Sequence, residues 1–245
     1  MKARTPFSPA GILLFALFLA AAPALSSLEM EATEWELGLR WIGNYEEDLA
    51  DSSGNIIAST FSFRLPLSIS QEAKLAIVPG LTFYTLRFRW EESEERPVLT
   101  DIEWRELTTF VPLLDAAVRW DFFQRKYFHL VVDGGFGFEL PVPVKTWLDA
   151  ERSSKILSGY YGKARFFLPY CALYGYGPVT NSVDMSGRFG VHLPIHNLWD
   201  GDGTPFSDHL GISLSVGFRL PKGERAVIEE PAAPRPEGAP PLPGE

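Results

Sequence analysis

The chain has 245 residues, 46% of them hydrophobic, with 31 acidic side chains against 22 Lys and Arg and a single cysteine. A formal net charge of −9 argues against nucleic acid as a partner, because phosphate binding needs a basic patch. Cys171 alone excludes an intramolecular disulfide framework, and the length suits one large β domain or two smaller domains.

Lys2 and Arg4 precede the apolar run Ile12–Leu25, which ends in the small-residue stretch Ala24-Leu25-Ser26. That order reads as a secretory signal peptide over residues 1–26, and the run is short of the roughly twenty residues a spanning helix needs. Its removal would leave the exported chain more acidic still. A first strand follows at Trp35–Trp41, with Trp35, Leu37, Leu39 and Trp41 on one face and Glu34, Glu36, Gly38 and Arg40 on the other. Successive side chains of a strand point to opposite faces, so this alternation is a period of two. A second strand is expected at Thr60–Ile69 and a third at Leu75–Trp90. The third changes phase, from Leu81 and Phe83 to Leu86, Phe88 and Trp90, which predicts a bulge near Thr85.

The fourth strand is expected at Thr108–Trp120, with Asp115, Arg119 and Asp121 on its polar face, and the fifth at Tyr127–Leu140, with His129, Asp133, Gly135, Gly137 and Glu139. The sixth, Tyr161–Tyr174, sets Ala164, Phe166, Leu168 and Tyr170 against Lys163 and Arg165; the seventh, Val183–Ile195, sets Met185, Phe189 and Val191 against Asp184, Ser186, Arg188 and His192. The eighth, His209–Leu220, alternates without a miss, from Leu210 and Ile212 to Phe218 and Leu220 against His209, Gly211, Ser213, Ser215, Gly217 and Arg219. Connections run long and short in turn, a rhythm that points to an all-β, eight-stranded antiparallel up-and-down transmembrane β-barrel over residues 27–220. Residues 221–245 are Pro-rich and too poor in apolar side chains to order themselves, which predicts a disordered tail. Pro66, Pro79, Pro112, Pro169 and Pro194 fall within these strands, and each would remove a ladder hydrogen bond unless placed at an irregularity.

The apolar face must look at lipid. Four or five large residues from each of eight strands would overfill the interior of so small a barrel, whereas Gly, Ser and sparse pairable charges suit it. Trp41, Trp90, Trp104 and Trp199 stand beside long connections, and Trp35, Trp120 and Tyr127 beside the other rim, as two interfacial girdles would require. Arg40, Arg64, Arg119, Glu139, Lys163 and Arg188 are assigned to a polar network inside.

With this alternation, loop rhythm and closing strand, the chain resembles small eight-stranded outer-membrane barrels of the OmpA and OmpX type over Trp35–Leu220. The closing strand, with Gly211, Leu214, Val216 and Phe218, looks like the assembly signal of that group, although a tail follows it here. The resemblance implies an outer membrane location with periplasmic N-terminus and tail, outward long loops, and as partners membrane lipid, lipopolysaccharide or an equivalent, and the assembly machinery. Enzymatic relatives, a lipid A palmitoyltransferase and a lipid A deacylase, imply a His with Ser or acidic partners near the outer rim. The candidates are His129 with Asp133, and His192 or His209 with Ser213. His129 and Asp133 stand about 13 Å apart along one strand, too far for a hydrogen bond.

No catalytic constellation and no cofactor site is read from the sequence, apart from weak Ca²⁺ or Mg²⁺ binding by clustered acids. Asp200 and Asp202 open like a calcium loop, but Pro205 and Gly211 stand where an EF-hand needs Gly and Glu. Glu91, Glu92, Glu94 and Glu95 form the densest cluster, a candidate contact for divalent cations or a surface partner. The reading is a non-enzymatic surface or structural protein acting through acidic loops. A lipid-modifying barrel enzyme and a soluble periplasmic ligand-binding barrel are the alternatives.

Overall fold

The computed structural model describes residues 28–44, 55–70, 72–91, 96–100, 106–146, 148, 150–198 and 206–222. The assigned signal peptide and most of the assigned tail lie outside them. The strands in order are β1 (Glu29–Met30), β2 (Ala32–Ile42), β3 (Ile56–Arg64), β4 (Leu67–Ser70), β5 (Leu75–Glu91), β6 (Arg96–Leu99), β7 (Leu107–Arg125), β8 (Phe128–Glu139) and β9 (Val142–Thr146). Helix α1 (Ala150–Gly162) follows, then β10 (Phe167–Pro178), β11 (Asp184–His192), a single helical turn at Ile195–Leu198, and β12 (Gly211–Pro221).

Antiparallel pairing runs β2, β3 with β4, β5, β7, β8, β10, β11 and β12, and β12 closes onto β2 from Gly211↔Ile42 to Pro221↔Ala32. The wall is therefore a closed barrel of eight antiparallel strands, and closure leaves no open edge between its first and last strand. The closing strand reads as expected from Gly211 onward, while His209 sits just before it in a turn with φ 63°. β4–β5, β7–β8 and β10–β11 are joined at one end of the barrel by short turns, and the long connections all lie at the other end.

Among the described residues, three of the long connections carry structure of their own, one of them the helical turn at Ile195–Leu198. β6 pairs back on β5, and the stretch expected to be one long connection after Leu140 contains β9 and α1. The sixth wall strand consequently begins at Phe167 rather than Tyr161, since Tyr161 still belongs to the helix. Its phase is also the reverse of the expected one. Leu168, Tyr170, Ala172, Tyr174 and Tyr176 are buried, while Cys171 and Leu173 face outward. Lys163 lies in the turn after α1, not in the interior network.

No bulge occurs at Thr85. β5 pairs with β7 without a shift from Leu75↔Trp120 to Phe88↔Leu107, and Ala76, Val78, Thr82, Tyr84, Leu86 and Phe88 all point inward. The hydrophobic phase changes because the interior itself turns apolar at that end. Register shifts fall instead between Ser68 and Ser70, Thr108 and Thr109, and Asp121 and Phe123.

The prolines obey one rule three times over. Leu65, Leu140 and Leu193 each precede a proline and donate their N–H to the carbonyl of Pro79, Pro112 and Pro169, at 3.0, 3.0 and 2.8 Å. The reciprocal bond, which proline cannot donate, is the one missing. Each gap thus faces a Leu-Pro dipeptide at a break or strand end: between β3 and β4, between β8 and β9, and past β11.

Candidate functional site

The wall has the polarity expected of a membrane barrel. Leu37 and Leu214 are each 65% exposed on the outside, and Val216, Phe218 and Met185 are nearly as open. Aromatic rings continue the belt, with Phe83 stacked between Phe61 and Phe110 on neighbouring strands. Water would not tolerate so continuous an apolar surface. Among the described residues no helix is long and apolar enough to cross a membrane.

Inside, five arginines from β2, β3, β7, β11 and β12 face carboxylates from β2, β7, β8 and β11. Arg119 grips two carboxylates at once: Nε and Nη2 donate to Asp133 at 2.7 and 3.0 Å, and Nη1 and Nη2 to Glu34 at 2.6 and 3.1 Å. Arg188 also bonds Asp133, and its Nε donates to Glu36 at 3.0 Å. Both guanidiniums stand 4.6 Å from the Tyr174 ring centroid. Arg64 joins Glu36 at 3.1 Å to Asp115 at 3.4 Å, and Tyr170 OH donates to Asp115. Arg219 pairs with Asp184 at 3.3 Å over the Tyr176 ring.

Arginine suits these places because its planar fork serves two carboxylates and stacks on an aromatic face, which a lysine ammonium cannot do. Small residues make the room. A Cβ at Gly80 would stand 2.3 Å from Asp115 Oδ1, and one at Gly211 would stand 2.9 Å from Arg40 Nε. Glu139 marks the upper edge of the network. Arg40 Nη2 lies 2.8 Å from it, and Tyr84 and Tyr160 both donate their hydroxyls to it. Burial, reinforced by Glu139, pushes the Tyr160 phenol well above its ordinary pKa, so it remains a donor.

Above Glu139 the mouth is closed by apolar packing. Ile156 and Tyr160 of α1 are buried with Leu86, Phe88, Leu99, Leu107, Val111 and Leu113, and Leu157 packs alongside. The plug had a sequence signal: Ile156, Leu157, Tyr160 and Tyr161 recur at helical spacing, Glu151 and Lys155 pair four residues apart at 3.1 Å, and Gly162 ends the run.

The enzymatic pairings are not assembled. His129 Nδ1 lies 3.3 Å from Asp121, and its ring stacks on Tyr176, while Asp133 is held by Arg119 and Arg188. His192 stacks on Tyr170, His209 stands beside His196, and Ser213 Oγ is directed at Gly190 O. Trp35 and Trp120 are on the outer wall, half exposed, and Trp41 is partly buried at the upper end of β2. Trp90 packs against the mouth cluster. Trp104, Trp199, Glu92, Glu94, Glu95, Asp200 and Asp202 lie outside the described residues, and Glu91 is placed only as the last residue of β5.

No family model matches the chain, and no curated protein matches it significantly in sequence. Among solved structures, Neisserial surface protein A matches with a TM-score of 0.47 at 10% identity, over 77% of this chain and 95% of that one. The outer membrane protein Ail of Yersinia pestis matches with a TM-score of 0.37 at 11% identity, over 78% and 99%. Outer membrane phospholipase A of Escherichia coli matches with a TM-score of 0.26 at 11% identity, over 79% and 98%. The fold is established by the closed strand pairing above and does not depend on these likenesses.

Proposed function

We propose that this protein is an outer-membrane β-barrel of a two-membrane bacterium that works at the cell surface through its long connections, without enzymatic chemistry and without conducting. The observation that carries the reading is the inversion of polarity: a wall apolar toward its surroundings around a lumen filled by paired arginines and carboxylates. With the lumen filled and α1 seated in the mouth, the long connections are left as the part able to meet other molecules. In this reading they face outward, and the N-terminus and tail are periplasmic.

Fractionation followed by protease shaving of intact cells tests it. Recovery in the outer membrane with cleavage confined to the long connections is expected, and recovery in the aqueous phase without detergent would overturn it. An unchanged lipid A mass profile on deletion is expected, against the lipid-modifying alternative. The acidity of these connections, including Glu91, Glu92, Glu94 and Glu95, suits weak binding of Ca²⁺ or Mg²⁺, on the order of 10⁻⁴–10⁻³ M, as a bridge to anionic surface groups. Calorimetric titration with Ca²⁺ should give saturable heat that disappears when these four residues are replaced.

A further inference from the structure

The hairpin joining β7 to β8 projects past its neighbour at the short-turn end. Pairing with β5 stops at Leu75↔Trp120, yet β7 continues with β8 as far as Arg125↔Phe128. The shift between Asp121 and Phe123 inserts one extra residue into β7. Such a bulge re-aims every side chain beyond it. Before the shift Trp120 stands opposite Val132; after it Phe123 stands opposite Leu130 and Arg125 opposite Phe128. The alternation of β8 is unbroken, so Phe123 and Arg125 are turned to the same outer face as Trp120. Had β7 kept strict alternation through this stretch, they would point toward the barrel axis.

The result is an outward strip of rings ending in positive charge. Phe122, Phe123, Tyr127 and Phe128 are 38–68% exposed, and the Trp120 and Phe122 rings are 5.9 Å apart. Arg125 lies 5.6 Å from the Phe123 ring centroid and Lys126 5.0 Å from that of Tyr127. Neither cation has a carboxylate partner among the described residues. The nearest acid in sequence, Asp121, is engaged by Gln124 and His129. Residues 122–128 contain two bases and no acid, in a chain where acids outnumber bases 31 to 22.

Rings whose bodies are apolar, carrying cations on long stems, fit the boundary between acyl chains and headgroups. We propose that this hairpin is a binding site for anionic phospholipid headgroups. Arg125 and Lys126 contact the phosphates, and Trp120, Phe122, Phe123 and Tyr127 rest on the acyl chains beneath. The bulge is the device that brings rings and charges onto one face. The proposal rests on the membrane reading, and insertion and headgroup preference are measured independently.

The full chain is refolded into vesicles of phosphatidylcholine alone, with insertion measured by heat-dependent gel mobility and protease protection. Headgroup preference is then read from the association of spin-labelled phosphatidylglycerol against spin-labelled phosphatidylcholine. A basic group near an anionic surface is worth about five-fold. The wild type should therefore prefer phosphatidylglycerol several-fold, less so in high salt. The double variant Arg125→Gln/Lys126→Gln should fall to near parity while inserting normally, and Lys155→Gln, on α1 at the other end, should keep the preference. Normal insertion with no preference in the wild type, or an undiminished preference in the double variant, would overturn the site. Failure of the wild type to insert would overturn the membrane reading and the site together.

Discussion

Below Glu139 the lumen is filled by arginines and carboxylates, whereas above it Ile, Leu, Val and Phe from the strands, β6 and α1 pack together beside the buried Arg165. Both halves are buried, but they fail differently. Arg64, Arg119, Arg188 and Arg219 each hold more than one carboxylate, so truncating one of them leaves charges buried without partners. Above, a truncation leaves a cavity, which neighbours relax into. The lower half is therefore the more brittle, and the upper half is free to be supplied by connections rather than by the wall.

Arg188→Ala should be the most damaging change, costing about 3–5 kcal/mol, because Asp133, Glu34 and Glu36 would lose a shared cation in the interior. Urea unfolding of the vesicle-inserted protein measures it, and a cost no larger than that of a mouth mutation would remove the contrast. Leu214→Arg, at an outward position, should cost about 2–4 kcal/mol if its Cα sits near the bilayer midplane, while the neighbouring Ser213→Ala should be close to silent. Equal tolerance of both would reverse the orientation of the wall.

Ile156→Ala empties part of the plug and should cost about 2 kcal/mol, at the low end for such truncations because the site can collapse. Tyr160→Phe should cost about 1–2 kcal/mol by removing a hydrogen bond to the Glu139 carboxylate. Faster amide exchange confined to α1 and β6 is the expected signature of both. The smallest effect concerns conductance. The wild type should show no steady large conductance in planar bilayers, and deletion of residues 150–162 should not open a channel of porin size, since the charged network below remains. A porin-sized opening in that deletion would make the plug, not the network, the barrier.

The two halves also differ in how openly the sequence displayed them. Where lipid lies outside and charge inside, the two faces of a strand are chemically opposite, and the pattern in 32–42 or 211–221 leaves one solution for which side is which. Where the interior turns apolar, both faces look alike. The phase change in β5 then imitates a bulge that is not there, and Leu168 and Tyr170 pass for lipid-facing residues although Tyr170 is bonded to Asp115. Tyrosine is the ambiguous residue, apolar in body and polar at its tip, and Tyr84, Tyr170, Tyr174 and Tyr176 all turn inward from the strands.

Periodicity, loop rhythm and composition by themselves determined the strand count, the closing strand and which face of most strands turns outward, because a barrel with chemically opposite surroundings on its two sides enforces a period of two. Tertiary structure alone decided which arginine serves which carboxylate, since such pairs join strands as far apart in sequence as Glu36 and Arg188. It also decided that Pro79, Pro112 and Pro169 each face a Leu-Pro dipeptide, which only the register reveals, and that a connecting segment folds into a helix to close the mouth. A strand's own pattern records its two surroundings, but not the partner that fills the space between strands.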